Sequence, residues 1–177
     1  MRSEVDGRVI SAIPVFAGIP PQELSQLLAM ADSIELGAGE ALFSEDEAAD
    51  AFYVLISGGI DLFSRGPQND ERFLAHLGQG AIIGETSLLI DGRHSATARA
   101  SEQVRLLRFP DSRFRELLDT GSLPAYRLVA NLARVLASRL RAADEQLVAI
   151  ASKGSGPAMA EDDLDRLRKI FFAEWAL

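Results

Sequence analysis

Ile82-Ile83-Gly84-Glu85-Thr86-Ser87-Leu88-Leu89-Ile90-Asp91-Gly92-Arg93-His94-Ser95-Ala96-Thr97-Ala98-Arg99-Ala100 is the stretch on which the reading of this sequence turns. Ile82-Ile83 reads as a strand that delivers Gly84, and a missing side chain there lets backbone approach a ligand closely. Thr86 to Leu89 reads as one helical turn whose free N–H groups are available to an anion. Glu85, beside that turn, only accepts hydrogen bonds, which suits a sugar hydroxyl. The chain then returns through Asp91-Gly92 to basic residues able to cover a phosphate charge. Glycine, acid, helical turn and returning base together make a sugar-phosphate cradle.

On either side of this stretch the apolar runs are short. Ile34-Glu35-Leu36, Ala41-Leu42-Phe43, Phe52 to Ile56, Ile60 to Phe63, Phe73 to Leu77 and Val104 to Phe109 all read as strands. They are separated by Gly37-Ala38-Gly39, Ser57-Gly58-Gly59, Gly66-Pro67 and Gly78-Gln79-Gly80, which is turn chemistry. Regularly spaced short strands argue for a small barrel, roll or sandwich.

Helical periodicity bounds this β region. Val9, Ile10, Ile13, Val15 and Phe16 form an apolar cluster of short helices, and Pro20-Pro21 opens a further helix carrying Leu24, Leu27, Leu28 and Ala31 on one face. After Pro110 come a short helix, Ser112 to Leu118, and a long one from about Ala125 to Ala151 rich in strong helix formers. Its seam, Leu132, Leu136, Leu140, Ala143 and Leu147, is wide enough to pack on the roll, to pair with a second copy, or both. Lys153 to Pro157 is a linker by composition, and Leu164, Leu167, Ile170, Phe171 and Trp175 share a face of an amphipathic tail expected to dock on its own domain, a dimer mate or another protein.

Composition narrows the function classes. With 177 residues, 47% hydrophobic and 25% charged, the chain holds one full domain with appendages. It has no cysteine, which excludes disulfides, thiolate metal sites and cysteine nucleophiles. A net charge of −8 speaks against duplex DNA, whose binders neutralise phosphate with a basic face. The start of the chain lacks the pattern of a secretory signal, and no apolar run approaches the roughly 20 residues that span a bilayer. The expectation is a cytoplasmic protein. His76 and His94 alone make no convincing zinc site. Ser57, Ser87 and Ser95 lie outside any G-x-S-x-G, and Gly78-Gln79-Gly80 lacks both G-x-G-x-x-G spacing and a βαβ context. No catalytic residue, metal or cofactor is expected.

The sequence resembles the cyclic-nucleotide-binding domain family, whose cassette reads G-E-x-[SA]-L-L, a turn, then R-[SA]-A-T-V-R-A. Asp50-Ala51-Phe52-Tyr53-Val54-Leu55-Ile56-Ser57-Gly58-Gly59-Ile60 is similar to the family's D-x-F-Y-V-L-x-S-G-x-V hairpin. Leu106 to Leu118 is similar to its final strand and following helix, and Asn131 to Leu140 to its long hinge helix. The likeness runs over roughly residues 10 to 150.

The resemblance implies a mainly β fold with α, an antiparallel eight-stranded β-roll flanked by N-terminal helices and a long C-terminal helix. Residues 8–118 would form the roll with its N-terminal helices, 119–153 a hinge or dimerisation helix, and 154–177 a linker and tail. It implies a regulatory module whose ligand is cAMP or cGMP, held by Gly84, Glu85, Thr86, Ser87, Leu88, Arg93, His94, Ser95, Ala96 and Thr97. Base selectivity is expected from Thr97 and from the long helix near Arg139. Where the family has an arginine on the phosphate, this sequence has His94, or Arg93 or Ser95 if the register shifts by one. A scaffold of the same fold with an empty pocket is the alternative. The resemblance also implies a homodimer through the seam from Leu132 to Leu147, with Leu164, Leu167, Phe171 and Trp175 as a surface for a protein partner. About two dozen residues follow Lys153, too few for the helix-turn-helix of the family's transcription factors, so no DNA contact is expected.

Overall fold

The computed structural model describes residues 10–66, 69–85 and 92–153. Eight strands appear among them: β1 (Asp32–Leu36), β2 (Ala41–Phe43), β3 (Ala51–Ser57), β4 (Ile60–Arg65), β5 (Glu71–Leu77), β6 (Ile82–Ile83), β7 (Thr97–Ala100) and β8 (Val104–Pro110). They form two antiparallel sheets, ordered β1-β8-β3-β6 and β2-β7-β4-β5, that face one another as the expected roll. A 3-10 turn at Pro14–Phe16 and helix α1 (Pro21–Ala29) precede the roll; α2 (Asp111–Asp119) and α3 (Leu123–Lys153) follow it.

The two sheets differ in what covers them. β3 is buried from Ala51 to Ile56 because both of its faces are used. Ala51, Tyr53 and Leu55 point into the roll, whereas Phe52, Val54 and Ile56 point out under the helices. Phe52 stacks on Phe109 at 4.7 Å and meets the edge of Phe114 from α2 at 5.6 Å, which ties the sheet to the helical layer. The second sheet is covered on one face only. Ile60, Leu62, Ala98 and Ala100 fill the interior, and the outer face carries Phe63 with the Arg99 guanidinium 5.0 Å above its ring. Glu71 pairs with that guanidinium at 2.8 Å.

Helix α3 leaves α2 and lies along the N-terminal segment. Ala125, Leu128 and Leu132 are enclosed in the same core as Val15, Phe16 and Leu24. Asn131 secures the contact, its Nδ2 donating to the carbonyls of Val15 and Ala17 at 2.9 Å each. These contacts place Leu132, one residue of the expected dimer seam, in the core. Leu132 is fully enclosed within its own chain, while Leu140 is 66% exposed and Leu136 half-buried. The side chains of Ala143 and Leu147 lie outside the described residues, as does the tail with Leu164, Leu167, Phe171 and Trp175. No helix among the described residues is long and apolar enough to cross a membrane.

Candidate functional site

The site is built where β6 ends. Ile83 pairs with Tyr53 of β3, and the chain then turns at Gly84, whose φ is +75°. A side chain would be strained there and would also lack room. A Cβ on Gly84 would lie 3.2 Å from the carbonyl oxygen of Ala51 and 3.3 Å from Cε1 of His94. The glycine is thus required both by conformation and by the close approach of β3 and the segment carrying His94.

The turn drives Glu85 inward, to 1% exposure. Its Oε1 accepts a hydrogen bond from Nη1 of Arg139 at 3.1 Å. Arg139 comes from α3 and is itself 3% exposed. Burial pushes the Glu85 carboxyl up to about 7, and the neighbouring guanidinium pulls against that rise. The second carboxylate oxygen, Oε2, is buried with no hydrogen-bond partner among the described residues. A buried acceptor with spare capacity is costly unless something donates to it. The pair therefore joins the end of β6 to the long helix through one carboxylate oxygen.

His94 reaches the same place from the opposite direction. Its backbone N–H donates to the carbonyl of Glu47 and its carbonyl accepts from Asp46, at 2.9 Å each. The ring is 6% exposed. It lies parallel to Phe43 with centroids 3.5 Å apart, and the Tyr53 ring meets Phe43 at a tilt, 5.9 Å between centroids. Burial holds the imidazole below its ordinary range, against the raising effect of Glu47 and Asp50.

The remaining expected site residues divide into those near this centre and those away from it. Arg93 is exposed, bridges to Ala48, and gives Nη1 to the carbonyl of Asp46. Ser95 is exposed, and Ala96 is buried in the roll interior. Thr97 stands on the outer face, where its Oγ1 accepts from the Glu45 N–H at 3.0 Å. There it lines an open depression of about 450 Å³ with Phe63, Ser64 and Glu71, apart from the Glu85–Arg139 pair. Thr86, Ser87 and Leu88 lie outside the described residues. His76, on β5, is a surface residue whose Nδ1 pairs with Asp61 at 2.7 Å. Among the described residues no group of three His, Cys, Asp or Glu side chains is placed to hold a metal.

The sequence reading named Arg139 for base selectivity but not its pairing with Glu85, and it left Phe43 out of the site. The direct pairing of Arg139 with Glu85 had a signal: Leu128, Leu132, Val135 and Arg139 recur at helical spacing, which sets an arginine on an inward stripe. Phe43 had none, since a strand phenylalanine reads simply as core.

Known proteins match this architecture. The cyclic nucleotide-binding domain model matches residues 33–120. The Cyclic AMP receptor protein of Thermus thermophilus is 36% identical over 134 residues, covering 76% of this chain and 60% of the relative. The chain thus spans about three fifths of the length of that relative. The crystal structure of the N-terminal domain of a transcriptional regulator from Streptomyces coelicolor A3(2) aligns with a TM-score of 0.65 and 31% identity, over 75% of this chain and 92% of that one. A cyclic nucleotide-binding-like protein from Brucella abortus aligns with a TM-score of 0.55 and 31% identity, over 64% of this chain and 97% of that one.

Proposed function

Because the chain belongs to the cyclic nucleotide-binding domain family, we propose that it is a non-enzymatic regulatory module that senses cAMP or cGMP and signals through α3. The observation that carries this reading is the split role of Glu85. One oxygen is tied to Arg139 of the long helix and the other is buried without a donor among the described residues. A ribose hydroxyl donating to Oε2 supplies the missing hydrogen bond and changes the charge that Arg139 feels. Ligand occupancy and the position of α3 then share one ion pair. Such a switch works only to the extent that the ligand binds one helix position more tightly than the other.

In this reading the turn expected from the sequence at Thr86 to Leu88 offers its amides to the phosphate, and Gly84 keeps the floor low enough for the sugar. Output runs through protein contacts: a homodimer using Leu136, Leu140, Ala143 and Leu147, and a partner surface on the tail. A net charge of −8 fits such an output in the cytoplasm better than a DNA contact.

A second reading, an interaction scaffold with no nucleotide, is favoured by one observation: His94, where the family has an arginine, is buried and disfavours its own charge. Titration calorimetry with cAMP and with cGMP, at pH 6 and pH 8, separates the two. The sensor gives saturable heat with at least one nucleotide. Absence of heat at millimolar nucleotide at both pH values leaves the scaffold.

A further inference from the structure

We propose that His94 is the phosphate-facing residue of the cradle and binds the anion only as imidazolium, so that one proton enters the site with each cyclic nucleotide. This rests on the cyclic-nucleotide reading above and specifies how that site is regulated.

Of the three residues that register allows at the arginine's place, only His94 turns inward, with Cε1 against Gly84. Arg93 and Ser95 are exposed, and Arg93 already serves the Asp46 carbonyl.

Other positive charge is scarce beside His94. Arg139 is matched by Glu85. Residues 86–91 read Thr-Ser-Leu-Leu-Ile-Asp and contain no Lys, Arg or His. A phosphodiester arriving in so enclosed a site, with only neutral donors around it, pays a large desolvation penalty. A neutral imidazole has one N–H and no charge; the imidazolium has two donors and supplies the counter-charge.

Groups around the ring also favour its charged form. Phe43 presents its face to the imidazole at 3.5 Å, and an aromatic face attracts a cation. Glu47 and Asp50, on the β2–β3 connection, favour the charged ring; Asp50 is itself paired with Arg108 at 2.8 Å. Glu85 follows Gly84 on the β6 side, and Arg93 is the ring's neighbour on its own segment. In the ligand-free site burial outweighs these groups and the ring is neutral at pH 7. An anion beside it reverses that balance.

The sign follows directly. Binding favours the protonated ring, so it takes a proton from solvent, and apparent affinity falls as pH rises. Only the protonated fraction binds strongly, so the dissociation constant weakens about tenfold per pH unit above the ring's ligand-free pKa. Glu85, at about 7, is ionised in the window from pH 8 to pH 9 and does not enter the slope there.

The experiment is calorimetry of the full chain with cAMP and cGMP at pH 8 and pH 9, each in two buffers of different ionisation enthalpy. The wild type is expected to take up about one proton per nucleotide and to bind about tenfold more weakly at pH 9. His94→Arg should bind with buffer-independent heat and no pH slope. Because arginine must fit beside Phe43, His94→Gln is the second variant, expected to bind weakly and without proton uptake. Wild-type binding that is equal at both pH values with buffer-independent heat overturns the proposal while leaving the sensor intact; so does His94→Gln binding as well as the wild type. If neither wild type nor His94→Arg binds at pH 6 or pH 8, the nucleotide reading itself fails and takes this inference with it.

Discussion

Replacing Arg139 with methionine leaves the Glu85 carboxyl enclosed with no counter-charge, and the consequence has a pH signature. An acid whose pKa is higher in the folded than in the unfolded chain favours folding fully below the unfolded value and loses that contribution as pH rises to the folded one. In the wild type the Glu85 carboxyl stops taking its toll at about pH 7, because Arg139 then holds the ionised form. In Arg139→Met the folded pKa climbs further, and stability keeps falling by about 1.4 kcal/mol per pH unit. The gap between variant and wild type should widen by about 3 kcal/mol between pH 7 and pH 9. For a chain of this size that corresponds to roughly 6–12 °C in Tm. Urea unfolding at pH 6, 7.5 and 9 reads it directly. The double variant Glu85→Gln with Arg139→Met removes both charges and should lose the extra pH dependence, since replacing a whole buried pair is far milder than breaking it. An Arg139→Met deficit that is constant across pH refutes the reasoning.

Gly84→Ala should destabilise the fold by about 1–2 kcal/mol, from the positive φ and the tight approach to Ala51 and His94, read as a lower urea midpoint with unchanged slope. Asn131→Leu strips two hydrogen bonds from the carbonyls of Val15 and Ala17 and should cost about 1–3 kcal/mol, with faster amide exchange in the N-terminal turn. Leu140→Glu should leave folding within about 0.5 kcal/mol of wild type, because the side chain is exposed, yet shift sedimentation equilibrium toward the monomer. An unchanged mass counts against a dimer through this seam.

The fold was largely legible because its signals are local. Strands such as Phe52 to Ile56 and Val104 to Phe109 announce themselves by length and branching, and the glycine turns mark where they stop. β7 did not: Thr97-Ala98-Arg99-Ala100 carries only small residues and one arginine, and it is a strand because β2 and β4 pair with it on either side. Tertiary pairing overrode weak propensity there. The long helix was visible, but the fate of its apolar seam was not. Periodicity locates a stripe without saying what covers it, so Leu132 could serve a core or a dimer until the N-terminal turn was seen to enclose it. At the site, Gly84, Glu85 and His94 were readable from their order along the chain. The pairing of Glu85 with Arg139, 54 residues on, is a long-range contact that only the packing of α3 reveals.

In the proposed sensor the cradle and α3 communicate through Glu85 and Arg139. Hydrogen exchange on the full chain, with and without saturating cAMP or cGMP, tests it most directly. The account predicts that nucleotide changes exchange both across residues 82–96 and in α3 around Arg139, and that Arg139→Met keeps the first change and loses the second. Nucleotide that protects 82–96 in the wild type while leaving α3 untouched would contradict it.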